Sequence, residues 1–231
     1  HARDGERMEI ERKFLIKQMP EHLDCYSHTP MEQAYISTEP VIRIRRSGEQ
    51  YWLTCKGPGL LKREEFELPL TETEYGALLL KTEGAPIVKE RYEITMGKYL
   101  IQLDVFQEPL APLVMAEVEF SSEEEAAAFC PPDWFGEEVT QDPCYTNAYL
   151  SRCLRRMEQD GLTPGRYRHF KGGEYQLLCT ATHSETQESM VVYRALYGEK
   201  GLWVRPAAMW NEEVCRDGYC GPRFYAIDNK K

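Results

Sequence analysis

The sequence contains no apolar run near the roughly 20 residues that a helix needs to cross a bilayer, which argues against a helical membrane protein. Its eight cysteines include no Cys-x-x-Cys pair, which excludes zinc-ribbon and thioredoxin-type sites. It also has no secretory h-region and no nucleotide-binding fingerprint. We therefore expect a cytoplasmic protein, with no membrane partner, whose thiols are reduced and mostly buried.

Charge, by contrast, is abundant. The 231 residues include 28 Lys and Arg against 38 Asp and Glu, a net charge of −10. The acidic excess lies within residues 1–160, whereas residues 161–231 are slightly basic. Bulk charge alone predicts that the first segment repels phosphate and nucleic acid, so any anion site there must come from local placement of basic residues.

The periodicity predicts a first domain at 8–158 that is mainly β. Its segments alternate with period two, as strands do, and turn residues separate several of them. The predicted strands are Met8–Ile16, Glu32–Ser37, Val41–Ser47, Tyr51–Lys56, Lys62–Leu68, Val88–Ile94, Tyr99–Phe106 and Val114–Phe120.

Three helices are predicted within or at the end of this strand array. Thr71 with Glu74 and Ser121 with Glu124 have the spacing of capping boxes. An apolar stripe predicts the third helix from Tyr145 to Met157.

The strands carry charge on the face where a core would normally lie. Val118 and Phe120, for example, alternate with Glu117 and Glu119. A solvated outer face would explain one such strand, but eight in succession favour a closed eight-stranded antiparallel barrel with its ionic faces inward and flanking helices outside. The basic members of the ionic set are Lys13, Arg43, Arg45, Lys56, Arg63, Lys89 and Arg91, and the acidic members are Glu9, Glu11, Glu65, Glu67, Asp104, Glu117 and Glu119.

Such a mixed interior predicts the chemistry of its ligand. Buried charges are costly unless they are paired or coordinated. A polyanion with a divalent metal satisfies both signs, because carboxylates hold the metal while Arg and Lys hold phosphate oxygens. Oxygen ligands without His or Cys favour Mg²⁺ or Mn²⁺.

The run from Glu9 to Lys13 resembles the Glu-x-Glu-x-Lys signature of the CYTH superfamily, the triphosphate tunnel metalloenzymes. The remaining ionic motifs follow in that family's order, and Asp142 with Tyr145, Asn147 and Leu150 resembles its closing helix. The resemblance covers about 8–157. It implies a tunnel that binds inorganic triphosphate or a nucleoside triphosphate with Mg²⁺ or Mn²⁺.

The resemblance also implies roles for individual side chains. Lys13 would contact the phosphoryl group that is cleaved, and Glu65, Glu67 and Asp104 would orient a second metal or the attacking water. The metal ligands would be Glu9, Glu11, Glu117 and Glu119, and the phosphate-binding residues would be Arg43, Arg45, Lys56, Arg63, Lys89 and Arg91.

Within this family we expect a hydrolase that converts inorganic tripolyphosphate to pyrophosphate and phosphate. An adenylate cyclase or a nucleoside or thiamine triphosphatase is the alternative, in which Tyr51 or Trp52 could serve as a base platform, although a core or lid contact is favoured for both. A non-catalytic polyphosphate or nucleotide sensor is a third reading. The intact Lys13 and carboxylate set argue against it.

The second domain, 162–226, resembles a small bacterial family known as a domain of unknown function, number 1653. We expect a β-rich barrel of the SH3 type. His169, Lys171, His183, Glu185 and Arg205 are its polar candidates, and the simpler interpretation is that they hold turns and cap strands. The alternative is a surface for anions or single-stranded nucleic acid, and only this domain would bind nucleic acid.

Overall fold

The computed structural model describes residues 6–216 and 218–227. The chain divides into two compact units, His1–Arg152 and Cys153–Lys231. Within the described ranges, no helix is both long enough and apolar enough to span a membrane.

The first unit is a closed antiparallel barrel. Its strands are β1 (Glu6–Ile16), β2 (His28–Thr38), β3 (Val41–Ser47), β4 (Gln50–Lys56), β5 (Lys62–Leu70), β6 (Ile87–Met96), β7 (Tyr99–Phe106) and β8 (Val114–Glu119). They are ordered β5-β4-β3-β2-β6-β7-β8-β1, and pairing of β1 with β5 closes the ring. The eight-stranded barrel predicted from alternation is confirmed.

A ninth strand, β9 (Phe135–Glu138), pairs with the end of β1 beside the barrel and was not predicted. Its four residues are too few to show a period of two, and its place depends on the register between Phe14 and Glu138. It extends the sheet without taking part in closure.

The apolar faces of the strands point away from the barrel axis and are covered from outside. Helix α1 (Glu72–Leu79) places Tyr75 against Ile44 of β3. On another side, Phe129 and Phe135 pack with Phe14 of β1, with ring centroids 6.1 and 4.8 Å from the Phe14 ring. The hydrophobic core therefore surrounds the barrel, which leaves its interior to the charged faces.

Helix α1 begins at the predicted capping box. The Thr71 hydroxyl accepts the Glu74 N–H at 3.3 Å, and the Thr71 N–H donates to the Glu74 carboxylate at 2.8 Å. The second predicted box is wrong by one residue: α2 (Glu123–Ala128) is capped by Ser122, whose hydroxyl accepts from Glu125. Two adjacent serines preceding three glutamates leave this register open in the sequence.

Helix α3 (Asn147–Gln159) starts two residues later than predicted. A short 3₁₀ turn occupies Pro143–Tyr145, and the Thr146 hydroxyl then accepts the Tyr149 N–H at 3.2 Å. Thr146 is therefore the residue that caps α3.

The second unit contains a five-stranded antiparallel sheet ordered β13-β12-β11-β10-β16, a separate β14–β15 hairpin and helix α4 (Ala207–Trp210). Trp210 stacks on Phe224 with ring centroids 3.9 Å apart. This confirms a β-rich unit. Its strands are β10 (Gly165–His169), β11 (Glu174–Thr182), β12 (Ser189–Ala195), β13 (Leu202–Pro206), β14 (Glu213–Arg216), β15 (Tyr219–Pro222) and β16 (Phe224–Ala226).

The cysteines depart from the expectation of reduced, mostly buried thiols. Cys215 and Cys220 form a disulfide between directly opposed positions of β14 and β15. Cys25, Cys130 and Cys144 are free and exposed. Composition could not reveal the pair, because hairpin register brings the two sulfurs together.

Candidate active site

The barrel encloses a cavity of about 280 Å³ lined almost wholly by charged and polar side chains. Every member of the ionic set predicted from the sequence lines it except Asp104. Strand geometry explains this convergence, because side chains two residues apart lie on the same face and the closed barrel turns that face inward.

Strand register places opposite charges directly across from one another. Glu9 of β1 faces Arg63 of β5, while Lys13 of β1 faces Glu117 of β8. Lys56 of β4 likewise faces Glu65 of β5. Opposed residues on one face of a sheet are close enough to interact. The interior is thus a network of ion pairs.

Lys13 lies at the centre of one acidic cluster. Its Nζ is 2.9 Å from Glu117 Oε1 and 3.1 Å from Glu11 Oε1. Burial lowers the pKa of Lys13, but the two carboxylates outweigh burial and hold it above its ordinary value. Burial raises the pKa of Glu117, yet Lys13 and Arg91 hold it well below the ordinary value. Lys13 therefore remains a cation throughout the neutral range.

Glu9 is held by two cations from β4 and β5. Lys56 Nζ is 2.9 Å from both Glu9 oxygens, and Arg63 Nε donates to Glu9 Oε2 at 2.7 Å. The same guanidinium reaches Glu11 Oε1 at 2.8 Å. Burial, together with repulsion from Arg43, lowers the pKa of Lys56.

Asp104 is completely buried beneath the lining side chains Lys89 and Arg91 and holds them in place. Arg91 contacts its carboxylate with two nitrogens at 2.7 and 2.6 Å, and also donates to Glu117 Oε2 at 2.7 Å. Burial is the main cause that lowers the pKa of Lys89 to about 8, against the opposing effect of Asp104. Lys89 therefore titrates just above neutrality.

Arg43 and Arg45 of β3 retain unused hydrogen-bond donors. Arg45 Nη2 is 3.0 Å from Glu67 Oε1, and Arg43 Nη2 donates to the Thr54 hydroxyl at 3.1 Å. Among the described residues, the Nε atom of each arginine is buried and has no hydrogen-bond partner. Burial and the adjacent Arg43 lower the pKa of Arg45 to about 10. Two neighbouring cations with spare donors are suited to an anion.

Several lining residues escaped sequence reasoning. Gln33 and Tyr35 of β2 line the cavity, with Gln33 Nε2 3.2 Å from the Tyr35 hydroxyl. Gln102 of β7 also lines it, and so do Val41, Thr146, Asn147 and Ala148. Gln33 and Tyr35 are two residues apart on β2 and therefore lie on the same face of the strand. This spacing could have identified them, but a search for charged residues alone did not.

The carboxylates fit a hard divalent cation in chemistry but are not arranged as a preformed metal centre. Glu9, Glu11, Glu117 and Glu119 offer only oxygen donors to one cavity. Across the described part of the chain, no group of three acidic, His or Cys side chains is placed to hold a metal. The basic partners of Glu9, Glu11 and Glu117 hold those carboxylates apart.

A match to the CYTH domain spans residues 7–141. The chain belongs to the CYTH family. Metal dependence is general in this family. A second match, to a protein family of unknown function numbered DUF1653, spans residues 165–226, so both resemblances read from the sequence are confirmed in their order.

Two curated relatives match the CYTH unit. A protein of Nitrosomonas europaea named inorganic triphosphatase is 43% identical over 149 residues, which cover 62% of this chain and 96% of the relative. One of Acetivibrio thermocellus with the same name is 33% identical over 151 residues, covering 62% and 92%. The crystal structure of the hypothetical protein NE1496 is 39% identical, covers 63% of this chain and 99% of its own, and has a TM-score of 0.50.

The polar candidates of the second unit lie at turns or against aromatic rings. The His183 Nδ1 atom accepts the Thr186 N–H at 3.2 Å within a turn. The His169 ring and the Arg205 guanidinium both contact Phe224, at centroid distances of 4.8 and 5.5 Å. These contacts agree with the structural interpretation.

Proposed function

We propose that the CYTH unit is a metal-dependent hydrolase of inorganic tripolyphosphate, which it cleaves with water to pyrophosphate and phosphate. The observation that carries the proposal is a cavity inside the closed barrel, where seven basic side chains line the wall with six carboxylates and the buried Asp104 lies beneath them. A polyanion alone would leave negative charge in excess, whereas a divalent cation that enters with it offsets part of that charge. Both curated relatives are named inorganic triphosphatase, which supports the same activity.

Binding begins with an exchange of partners. The unused Nε donors of Arg43 and Arg45 take phosphate oxygens first, because they break no existing contact. Lys56, Arg63 and Arg91 then turn from carboxylates to phosphate oxygens. Each exchange replaces one charge-assisted contact by another, so little charge is left unpaired.

The same exchange releases carboxylates for Mg²⁺ or Mn²⁺. In this proposal the metal is held by Glu9, Glu11, Glu117 and Glu119. The metal would neutralise phosphate charge and lower the pKa of a bound water. Its binding depends on the polyanion, because the carboxylates are otherwise held by basic side chains.

Lys13 contacts the phosphoryl group that is transferred. Its ammonium is buried and permanently charged, so it can stabilise negative charge that develops on the phosphate oxygens. Glu65 and Glu67 orient Lys56 and Arg45. Asp104 is buried beneath Lys89 and Arg91, and we assign it the role of holding these two side chains rather than touching metal or water.

The surroundings of the cavity favour an inorganic substrate over a nucleotide. Tyr51 packs on Tyr75 of α1 with ring centroids 5.1 Å apart, on the outer face of the barrel. Trp52 is not among the lining residues. In the described part of the chain, Tyr35 is the one aromatic residue that lines the cavity, and its hydroxyl is already bonded to Gln33.

The testing experiment measures phosphate release from tripolyphosphate, ATP, thiamine triphosphate and pyrophosphate, each with Mg²⁺ or Mn²⁺. We expect metal-dependent turnover of tripolyphosphate far above the others. Lys13→Ala should abolish most turnover with a smaller effect on tripolyphosphate affinity. Preference for ATP would refute the inorganic assignment, and tight binding without any turnover would identify a sensor instead.

A further inference from the structure

The N-terminus of α3 opens onto the cavity. Thr146, Asn147 and Ala148 line the cavity wall. The Thr146 carbonyl accepts the Leu150 N–H at 3.0 Å and its hydroxyl accepts the Tyr149 N–H. The N–H groups of Asn147 and Ala148, at the first two positions of a 13-residue helix, have no acceptor within the helix.

Asn147 adds an independent observation. Its side chain is only 9% exposed. Its Oδ1 atom is buried without a hydrogen-bond partner among the described residues. Buried amides are normally hydrogen-bonded, so an unpartnered one in the wall of a charged cavity points to a polar ligand. Rotation of the amide by a half turn presents either its oxygen or its NH₂ group.

Two basic side chains lie at the same end of the barrel, where each also contacts carboxylates of the cavity. Lys56 and Arg63 line both the cavity and a groove that continues outward past Thr146 and Ala148. A helix N-terminus carries a partial positive charge and presents N–H donors to anions. One end of the cavity is therefore surrounded by Lys56, Arg63 and the start of α3.

We propose that Asn147 and the first N–H groups of α3 form a subsite for a terminal phosphate group of inorganic tripolyphosphate. The Asn147 NH₂ group and the two backbone N–H groups donate to its oxygens. A terminal phosphate offers more charged oxygens than an esterified one, so this subsite would favour the inorganic chain. The inference rests on the proposed function, and it makes Asn147 a binding residue and not a catalytic one.

Substitutions at Asn147 separate binding from folding. Asn147→Asp keeps the side-chain shape and places a carboxylate at a helix N-terminus, where it favours the helix, but it opposes the phosphate. Asn147→Ala removes one donor. We expect tripolyphosphate affinity to fall about tenfold in Asn147→Ala and about 100-fold in Asn147→Asp. If Asn147 had only a structural role, Asn147→Ala should lose more tripolyphosphate affinity than Asn147→Asp.

The test is calorimetric titration of tripolyphosphate into the full chain with metal removed, so that no turnover occurs. Cys144→Asp is the matched control: it adds the same charge three residues earlier, on an exposed side chain outside the cavity lining. We expect its affinity to stay within about twofold of the unsubstituted chain. Unfolding midpoints are recorded for every variant.

The outcomes distinguish this inference from the proposed function. The expected order of affinities, with unfolding midpoints unchanged, supports the subsite. Unchanged affinity in Asn147→Asp, or equal losses in both variants with a lowered midpoint, would overturn the subsite while tripolyphosphate hydrolysis survived. If the unsubstituted chain neither bound nor hydrolysed tripolyphosphate, the proposed function would fail and the subsite with it.

Discussion

Lys89 should take up a proton when tripolyphosphate binds. Its side chain is 1% exposed, and burial lowers its pKa to about 8 even though Asp104 partly opposes the effect. A phosphate oxygen placed beside Lys89 favours the charged ammonium and raises the pKa again. Binding and protonation of Lys89 are therefore coupled.

The size of the coupling follows from the pKa. At pH 8 about half of the molecules carry neutral Lys89, so binding should recruit up to about 0.5 proton, rising to about 0.9 at pH 9. If only the charged form binds well, tripolyphosphate affinity should fall about tenfold for each pH unit above 8.

Folding stability should respond to the same shift. The folded-state pKa of Lys89 lies below the ordinary value of 10.5, so the unfolded chain binds more protons between these two pH values. The contribution of Lys89 to the free energy of unfolding is therefore least favourable below pH 8 and improves as pH rises toward 10.5.

The assay is calorimetry without metal at pH 8, in buffers that differ in ionisation enthalpy. Tripolyphosphate itself exchanges protons, so Lys89→Arg is the reference: it keeps the positive charge but does not titrate. The difference between the two proteins reports Lys89 alone. Lys89→Met, which carries no charge, should bind weakly at every pH. Equal proton uptake by the unsubstituted chain and by Lys89→Arg would refute the reasoning.

Three further predictions concern the ion-pair network and its surroundings. Asp104→Asn leaves Lys89 and Arg91 buried without their carboxylate. It should lower the free energy of unfolding, measured in urea, by about 3–5 kcal/mol, as is typical of a broken buried ion pair. A negligible loss would mean that water already screens these charges. Glu11→Gln should raise the metal concentration needed for half-maximal turnover. Metal-free tripolyphosphate binding should stay equal or become tighter, because the substitution frees Arg63 and Lys13 from a competing anion. Titrations of metal and of tripolyphosphate check these two results, and a loss of affinity for both ligands would contradict them. Thr71→Ala removes the cap of α1 on the outer face and should lower the unfolding midpoint without changing turnover; a fall in turnover at temperatures well below the midpoint would show that α1 affects the cavity.

The sequence predicted the barrel because one physical signal was repeated in every barrel strand except β2. Alternating charge at positions such as Glu9, Glu11 and Lys13 fixes which face turns inward, and closure of eight strands then brings those faces together. Opposite charges fell in register without any further assumption, as the facing of Lys13 and Glu117 shows.

Features set by tertiary contacts could not be predicted from the sequence. Asp104 shares the ionic pattern but does not line the cavity, because Lys89 and Arg91 enclose its carboxylate. Gln33 is neutral and gave no charge signal. The Cys215–Cys220 pair depends on the register of a short hairpin. Such features follow from which segments meet, and local periodicity carries no information about that.

The location of the hydrophobic core outside the barrel wall has a consequence for variation. The strands carry their charged side chains on one face and their hydrophobic contacts on the other, as Lys13 and Phe14 do on β1. Residues of the inner face can change in pairs that preserve charge balance while the outer packing under α1 and around Phe129 stays intact. The barrel wall thus separates adaptation to new polyanions from the maintenance of the fold.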